Sequence, residues 1–184
     1  IAFIFGVMLQ INFTGIWTFI PFYLEGEPFY FSMKMISLLY LTYALGIIGS
    51  PFAGHLASRF GIVRILIAGV LIITFGNILT AMAKILFVIA GLSFVVLGFF
   101  IAHSMASTWV GMNAKHHKSG ATSLYLVSYY FGVSVAGVIN GLVWSHFQWS
   151  GIIIVCTGII ITAGAIFYIM AKDVEALGVE KKVS

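Results

Sequence analysis

Gln10, Thr14 and Trp17 recur at helical spacing in a segment otherwise made of aliphatic and aromatic residues. Thr18 and Pro21 fall within the same stripe, and Asn12 points elsewhere. An amide, a hydroxyl and an indole in one line can hydrogen-bond a small solute while the ring packs on it. The same groups can also tie helix to helix, at about 0.6 kcal/mol a contact. A second group surrounds His103, followed by Ser104, Ser107 and Thr108. An imidazole about 7.5 Å from the middle of its apolar run can change charge near neutral pH. Ser107, one turn on, is the partner expected for a neutral ring. Tyr43 and Tyr130 place phenols in two further runs, with Tyr129 and Asn140 as secondary candidates, whereas Tyr40 lies nearer the boundary, where tyrosines are more often belt residues. No catalytic residue, metal set or cofactor motif emerges. His116 and His117 are adjacent in a basic loop and are not spaced as ligands, and no Walker-type glycine loop or G-x-S-x-G turn is present.

The elements that carry these groups must be membrane helices. Hydrophobic residues make up 61% of the 184, charged residues only 8%, and the mean hydropathy is +1.13. A water-soluble domain carries nearer a quarter charged residues, so the solvent here is lipid. The formal charge of +4 is better explained by basic cytoplasmic loops than by nucleic acid, and no nucleic-acid partner is expected. The single Cys156 excludes an internal disulfide framework. Six stretches are long and apolar enough to span a bilayer: 1–24, 35–57, 62–83, 86–110, 121–145 and 149–171. Residues 172–184 read as a polar cytoplasmic tail. The chain opens at Ile1 within an apolar run, as expected of a piece of a longer protein.

Six spans put both ends on one side, together with Arg59, Arg64, Lys115, Lys118 and Lys172, with Lys181 and Lys182 further out. The other side holds Lys34, Lys84, Glu25 and Glu27, so the first side is expected to be cytoplasmic. The third and sixth spans are mostly aliphatic. The first, second, fourth and fifth carry the amides, hydroxyls, tyrosines and the histidine, and are expected to face an interior or a wet cavity. Pro51 can kink the second span. On the fifth, Ser123, Tyr130, Ser134, Gly137 and Gly141 share a face, and Gly137 through Gly141 match a close-packing small-xxx-small pattern. No Asp or Glu lies inside any span.

The stretch from Gly54 to Arg64 reads Gly-His-Leu-Ala-Ser-Arg-Phe-Gly-Ile-Val-Arg, a glycine hinge flanked by fixed cations. It resembles the loop signature of the major facilitator superfamily, G-x-L-a-D-R-x-G-r-k/r-r. Gly54, Leu56, Ala57, Arg59, Gly61 and Arg64 match. Ser58 stands in place of the aspartate, and Ile62 and Val63 in place of two basic positions. In that family the loop follows the second span and, more degraded, the eighth. The degraded form, the charged tail and the lack of intramembrane carboxylates favour the second copy. Pro21-Phe22-Tyr23-Leu24 and the run from Ser123-Leu124-Tyr125 are similar to the drug:proton antiporter and sugar-efflux permease branch.

The resemblance implies an all-α membrane protein, six transmembrane helices forming the C-terminal half of a twelve-helix fold, with the N-terminal six-helix half as its missing partner. It implies a non-enzymatic secondary transporter of the inner membrane, exporting a small organic compound in exchange for protons by alternating access. Gln10, Thr14, Trp17, Tyr43, His103, Ser107 and Tyr130 would line the substrate pathway, and Gly54, Arg59, Gly61 and Arg64 would shape the cytoplasmic gate. The alternative readings are a self-contained six-span protein, as a homodimeric transporter or scaffold, and an intramembrane protease.

Overall fold

Hydrocarbon offers a peptide group no hydrogen-bond partner, so a chain this apolar satisfies its backbone by winding into helix. The structure is a computed structural model and describes residues 1–114 and 117–183, with side chains described through Val174. Lys115, His116 and the side chains of Lys181 and Lys182 lie outside the described residues. Helix α1 is Ala2–Glu25, α2 Met33–Leu39, α3 Ala44–Phe60, α4 Ile62–Thr80 and α5 Ile85–Asn113. A 3₁₀ turn, Tyr40–Tyr43, joins α2 to α3, and the three pieces make one span, Met33–Phe60.

The last helix, Lys118–Val183, carries an apolar stretch of 57 residues, Lys118–Val174. As one rod that stretch would run about 85 Å, nearly three bilayer cores. Gln148, at φ 50° and ψ −148°, breaks it into α6 (118–147) and α7 (149–183). Six crossing segments result, at the boundaries read from the sequence to within a few residues. Two details differ. The irregularity of the second span falls at the tyrosines of the 3₁₀ turn, and Pro51 sits inside α3 without ending it. Helix α7 runs on to Val183, through most of the segment read as a tail.

Backbone contact organises the packing. A methyl group on Gly69 would lie 2.9 Å from the Gly98 carbonyl oxygen, and one on Gly98 only 2.6 Å from that of Gly69. Gly76 and Gly91 stand in the same relation, each 2.7 Å from the other's carbonyl. The two pairs mark an antiparallel crossing of α4 on α5 so close that only glycine fits. Helix α1 is the centre of the bundle, with 67% of its apolar window buried against 22% for the second span. Tyr125 of α6 lies over Gly6, and Asn140 over Gly15.

Asparagine ties lock this centre. Asn12 Nδ2 donates to the Cys156 carbonyl at 2.9 Å, and Asn140 Nδ2 donates to the carbonyls of Ala136 at 3.0 Å and Ile11 at 3.2 Å. The Cys156 thiol donates to Asn140 Oδ1 at 3.4 Å. Asn140, a secondary cavity candidate in the sequence, is thus fully buried and consumed by packing. The small-xxx-small expectation for Gly137 and Gly141 is also corrected: a methyl group added to either would meet no other described residue within 4 Å. On α6 it is the stripe Tyr125, Tyr129, Gly132, Ala136 and Asn140 that turns inward, and Ser123, Tyr130, Ser134 and Gly137 are exposed.

Burial does not by itself separate the aliphatic spans from the polar ones. Leu71 and Phe75 of α4 and Ile154 and Ile161 of α7 are exposed, but so are Ile47 and Ile48 of α3 and Val127 and Phe131 of α6. What separates them is where the aromatic and polar side chains meet.

Candidate functional site

Phe13 and Trp17 lie one turn apart on α1, and Phe99 and His103 one turn apart on α5, so each helix presents a two-ring stripe. The 3₁₀ turn brings Tyr40 and Tyr43 alongside the first pair, because three residues per turn eclipse positions three apart. Tyr125 and Tyr129, one turn apart on α6, flank the second. The rings join into one file. The Trp17 ring is 5.1 Å from that of Tyr40 and 4.6 Å from that of Tyr43. Tyr43 meets Phe13 edge-on at 5.7 Å, and Phe13 stacks on Phe99 at 3.8 Å. Phe99 lies parallel to His103 at 5.8 Å, and His103 is 4.8 Å from Tyr129 and 5.5 Å from Tyr125. Four spans contribute: the first, second, fourth and fifth. None of these rings comes from α4 or α7.

Polar atoms interrupt the file at two levels. Gln10 Nε2 donates to Thr14 Oγ1 at 3.1 Å, and Gln10 Oε1 is buried with no hydrogen-bond partner. Trp17 Nε1 is likewise buried and unpartnered. A buried donor or acceptor left unpaired costs about 1–3 kcal/mol, and here an acceptor and a donor sit two turns apart on one stripe. Asn12 Oδ1, both amide atoms of Asn77, and Thr157 Oγ1 are also unpartnered. Those residues take no part in the ring file.

His103 Nδ1 lies 3.1 Å from the Tyr125 hydroxyl, the donor being set by the imidazole tautomer. That corrects the expected partner: Tyr125, fully buried, takes the place assigned to Ser107, which is half-buried on the next turn. Tyr130 stands beside the file, edge-on to Tyr129 at 5.2 Å, with 64% of its surface exposed. Thr18 is exposed and leaves the stripe of Gln10, Thr14 and Trp17. Sequence reasoning missed Phe13, Phe99 and Tyr125. The first two carry no polar atom to notice. Tyr125 and Tyr129 are four residues apart, a signal that was readable and lost to the more polar face beside it.

The hinge narrows to a single residue. Gly61 alone separates α3 from α4, at φ +90° and ψ 147°, where a side chain would be strained. Its N–H closes α3 onto the Ala57 carbonyl at 2.9 Å, and the Ser58 hydroxyl donates to the His55 carbonyl at 2.7 Å. Arg59 Cζ lies 5.4 Å from the centre of the Phe60 ring. Gly54 is inside α3 with open space around it, and Arg64 is in the first turn of α4. Gly54, Arg59, Gly61 and Arg64 all line one open cavity of about 1080 Å³ at the end of the bundle opposite Glu25, and among the described residues its lining contains no carboxylate.

A sequence profile of the Major Facilitator Superfamily matches residues 2–183. The chain is 34% identical over 173 residues to an uncharacterized MFS-type transporter, YybF, of Bacillus subtilis, covering 94% of this chain and 43% of the relative. It is 36% identical over 147 residues to the inner membrane transport protein YnfM of Escherichia coli, covering 80% and 35%. It is 41% identical over 150 residues to the uncharacterized transporter BU588 of Buchnera aphidicola, covering 82% and 37%. The chain thus spans less than half of the length of these curated relatives, from 35% to 43%.

Proposed function

The chain belongs to the Major Facilitator Superfamily, and from that premise we propose that it is the C-terminal six-span half of a secondary transporter that exports a small organic compound in exchange for protons. It is an integral, multi-pass membrane protein. In the proposed setting it lies in the inner membrane, with both ends of this segment cytoplasmic and the tail, 172–184, in the cytoplasm. The preceding six spans complete the pathway, and the two halves rock about it to open alternately to either face.

The observation that carries this reading is the aromatic file with its two unpartnered polar atoms. Gln10 Oε1 and Trp17 Nε1 would meet a donor and an acceptor on a solute whose flat body packs against Trp17 and Tyr43. Thr14, Ser107 and Tyr130 would line the same passage. A wall of this kind favours amphipathic or neutral compounds over strongly anionic ones. His103, with Tyr125 against it, is the proposed proton carrier, since no carboxylate lies inside any span. It would take a proton while the passage faces outward, as substrate leaves, and lose it inward as the next substrate binds. Gly54, Arg59, Gly61 and Arg64 would form the cytoplasmic gate, with any carboxylate that latches it supplied by the other half. The lengths of the relatives support the half-protein reading.

The test is substrate accumulation in cells carrying the full-length transporter. His103→Ala is expected to abolish the dependence of export on the proton gradient. Unchanged export with unchanged pH dependence would remove His103 from the mechanism.

A further inference from the structure

The cavity beside the hinge is lined by residues of α3, α4, α5 and α7. Its mouth carries three fixed cations, Arg59, Arg64 and Lys172, from α3, α4 and α7. Two are held against aromatic faces: Arg59 over Phe60, and Lys172 with Nζ 4.7 Å from the centre of the Tyr168 ring. All three are exposed at the cavity's edge, and the ring faces restrict how far two of them can swing away from it. Ser58 and Asn113 add polar groups to the lining, and no Asp or Glu lines it among the described residues. The rest of the wall is apolar, with Phe60, Ile62, Val63, Met105 and Met112. At about 1080 Å³ the space exceeds what an inorganic anion needs.

Tyr168 also belongs to a second, smaller space. A crevice of about 190 Å³ runs between α4 and α7, lined by Ile67, Val70, Leu71, Ile161, Gly164 and Ala165 together with Tyr168. Every one of those side chains is apolar except the tyrosine. The crevice lies on the two aliphatic helices, whose outward residues Leu71 and Ile161 are exposed. A cationic chamber and an apolar slot therefore share one wall residue, with the charge at the helix ends and the slot further along the span.

We propose that this pair of spaces is a binding site for an anionic phospholipid. The phosphate headgroup sits among Arg59, Arg64 and Lys172, and an acyl chain lies in the crevice between α4 and α7. Basic pockets at the ends of membrane helices attract anionic headgroups, at a cost in affinity of about five-fold for each cation removed. The apolar slot gives the site its preference for a lipid over a soluble phosphate, because only a lipid fills both spaces. Seated there, the lipid bridges α3, α4, α5 and α7 around the one-residue hinge at Gly61.

The experiment uses the purified protein in a neutral detergent and fluorescently labelled phosphatidylglycerol, with phosphatidylcholine of the same acyl chains as the zwitterionic comparison. Phosphatidylglycerol is expected to bind at least ten-fold more tightly. Lys172→Gln and Arg64→Gln are each expected to weaken it about five-fold, and Arg64→Lys to restore most of the loss. Ala165→Phe, which fills the crevice from an exposed position, is expected to weaken both lipids. Inorganic phosphate in excess is expected to compete poorly. Equal binding of the two lipids, or charge variants that bind like the parent, would overturn the proposal. So would effective competition by inorganic phosphate together with an inert Ala165→Phe, which would make the chamber a soluble-anion site. Melting temperatures of each variant near that of the parent separate a lost ligand from a lost fold.

Discussion

Adding one methyl group at Gly98 tests the packing on which the aromatic file rests. The new carbon would sit 2.6 Å from the Gly69 carbonyl oxygen and 2.8 Å from the Ile73 nitrogen, both backbone atoms with no rotamer to change. Ordinary contact needs about 0.8 Å more, so α4 and α5 must part, and a gap of that size forfeits a quarter to a half of the dispersion energy across the crossing. Overpacking of this kind costs about 1–3 kcal/mol. Alanine returns about 0.5–1 kcal/mol as a better helix former than glycine. Gly98→Ala is therefore expected to destabilise by about 1–2 kcal/mol, a fall in melting temperature of about 2–8 °C for a protein of this size. Gly158→Ala on α7 is the matched control: nothing lies within 4 Å of it, so only the helix-propensity gain remains and the sign reverses. The assay is thermal unfolding of the purified protein in detergent, followed by loss of the monodisperse species. A Gly98→Ala protein as stable as the parent, or a Gly158→Ala protein that melts lower, would refute the reasoning.

Two further outcomes follow from the same contacts. Trp17 and Trp149 are equally buried, but Trp149 Nε1 donates to the Thr80 carbonyl at 3.0 Å and Trp17 Nε1 has no partner. Trp149→Phe is expected to cost about 1–3 kcal/mol more than Trp17→Phe in the same melting assay, because it orphans a carbonyl and the other change orphans nothing. Gln148 holds a backbone conformation that glycine adopts freely, a strain of about 1–3 kcal/mol. Gln148→Gly is expected to raise the melting temperature by a few degrees after glycine's entropy cost of about 0.5–1 kcal/mol is subtracted. A lower melting temperature would place the break between α6 and α7 elsewhere.

The spans were legible because hydrocarbon imposes one rule on every residue, and 24 consecutive residues such as Ala2–Glu25 satisfy it without charge until the last. The break at Gln148 was legible as a polar interruption, His146 to Trp149, although no glycine or proline marks it. Faces were harder. Small residues read as packing surfaces on α6, yet Gly137 and Gly141 face open space, while the glycines against which backbone packs closely are Gly132 of α6, beside Val7 of α1, and the paired glycines of α4 and α5. A glycine's spacing says that a close approach is possible and leaves the approaching partner unnamed. The stripe of Gln10, Thr14 and Trp17 was visible because polar groups in an apolar helix stand out. Phe13 and Phe99 were invisible for the converse reason, as two phenylalanines among 17. His103 was found, and its partner was misplaced to the next turn of its own helix because Tyr125 is 22 residues away in sequence.

The central claim is that the face built from the first, second, fourth and fifth spans borders water while α4 and α7 border lipid. Single cysteines at Thr14 and Ser107, compared with Leu71 and Ile161, test it without knowledge of the substrate, since a thiol reacts as the thiolate and forms it only where water reaches. The native Cys156 is fully buried and contributes little background. With a charged, membrane-impermeant maleimide on intact membranes, the account predicts labelling at Thr14→Cys and Ser107→Cys and none at Leu71→Cys and Ile161→Cys. Labelling confined to the second pair would contradict it.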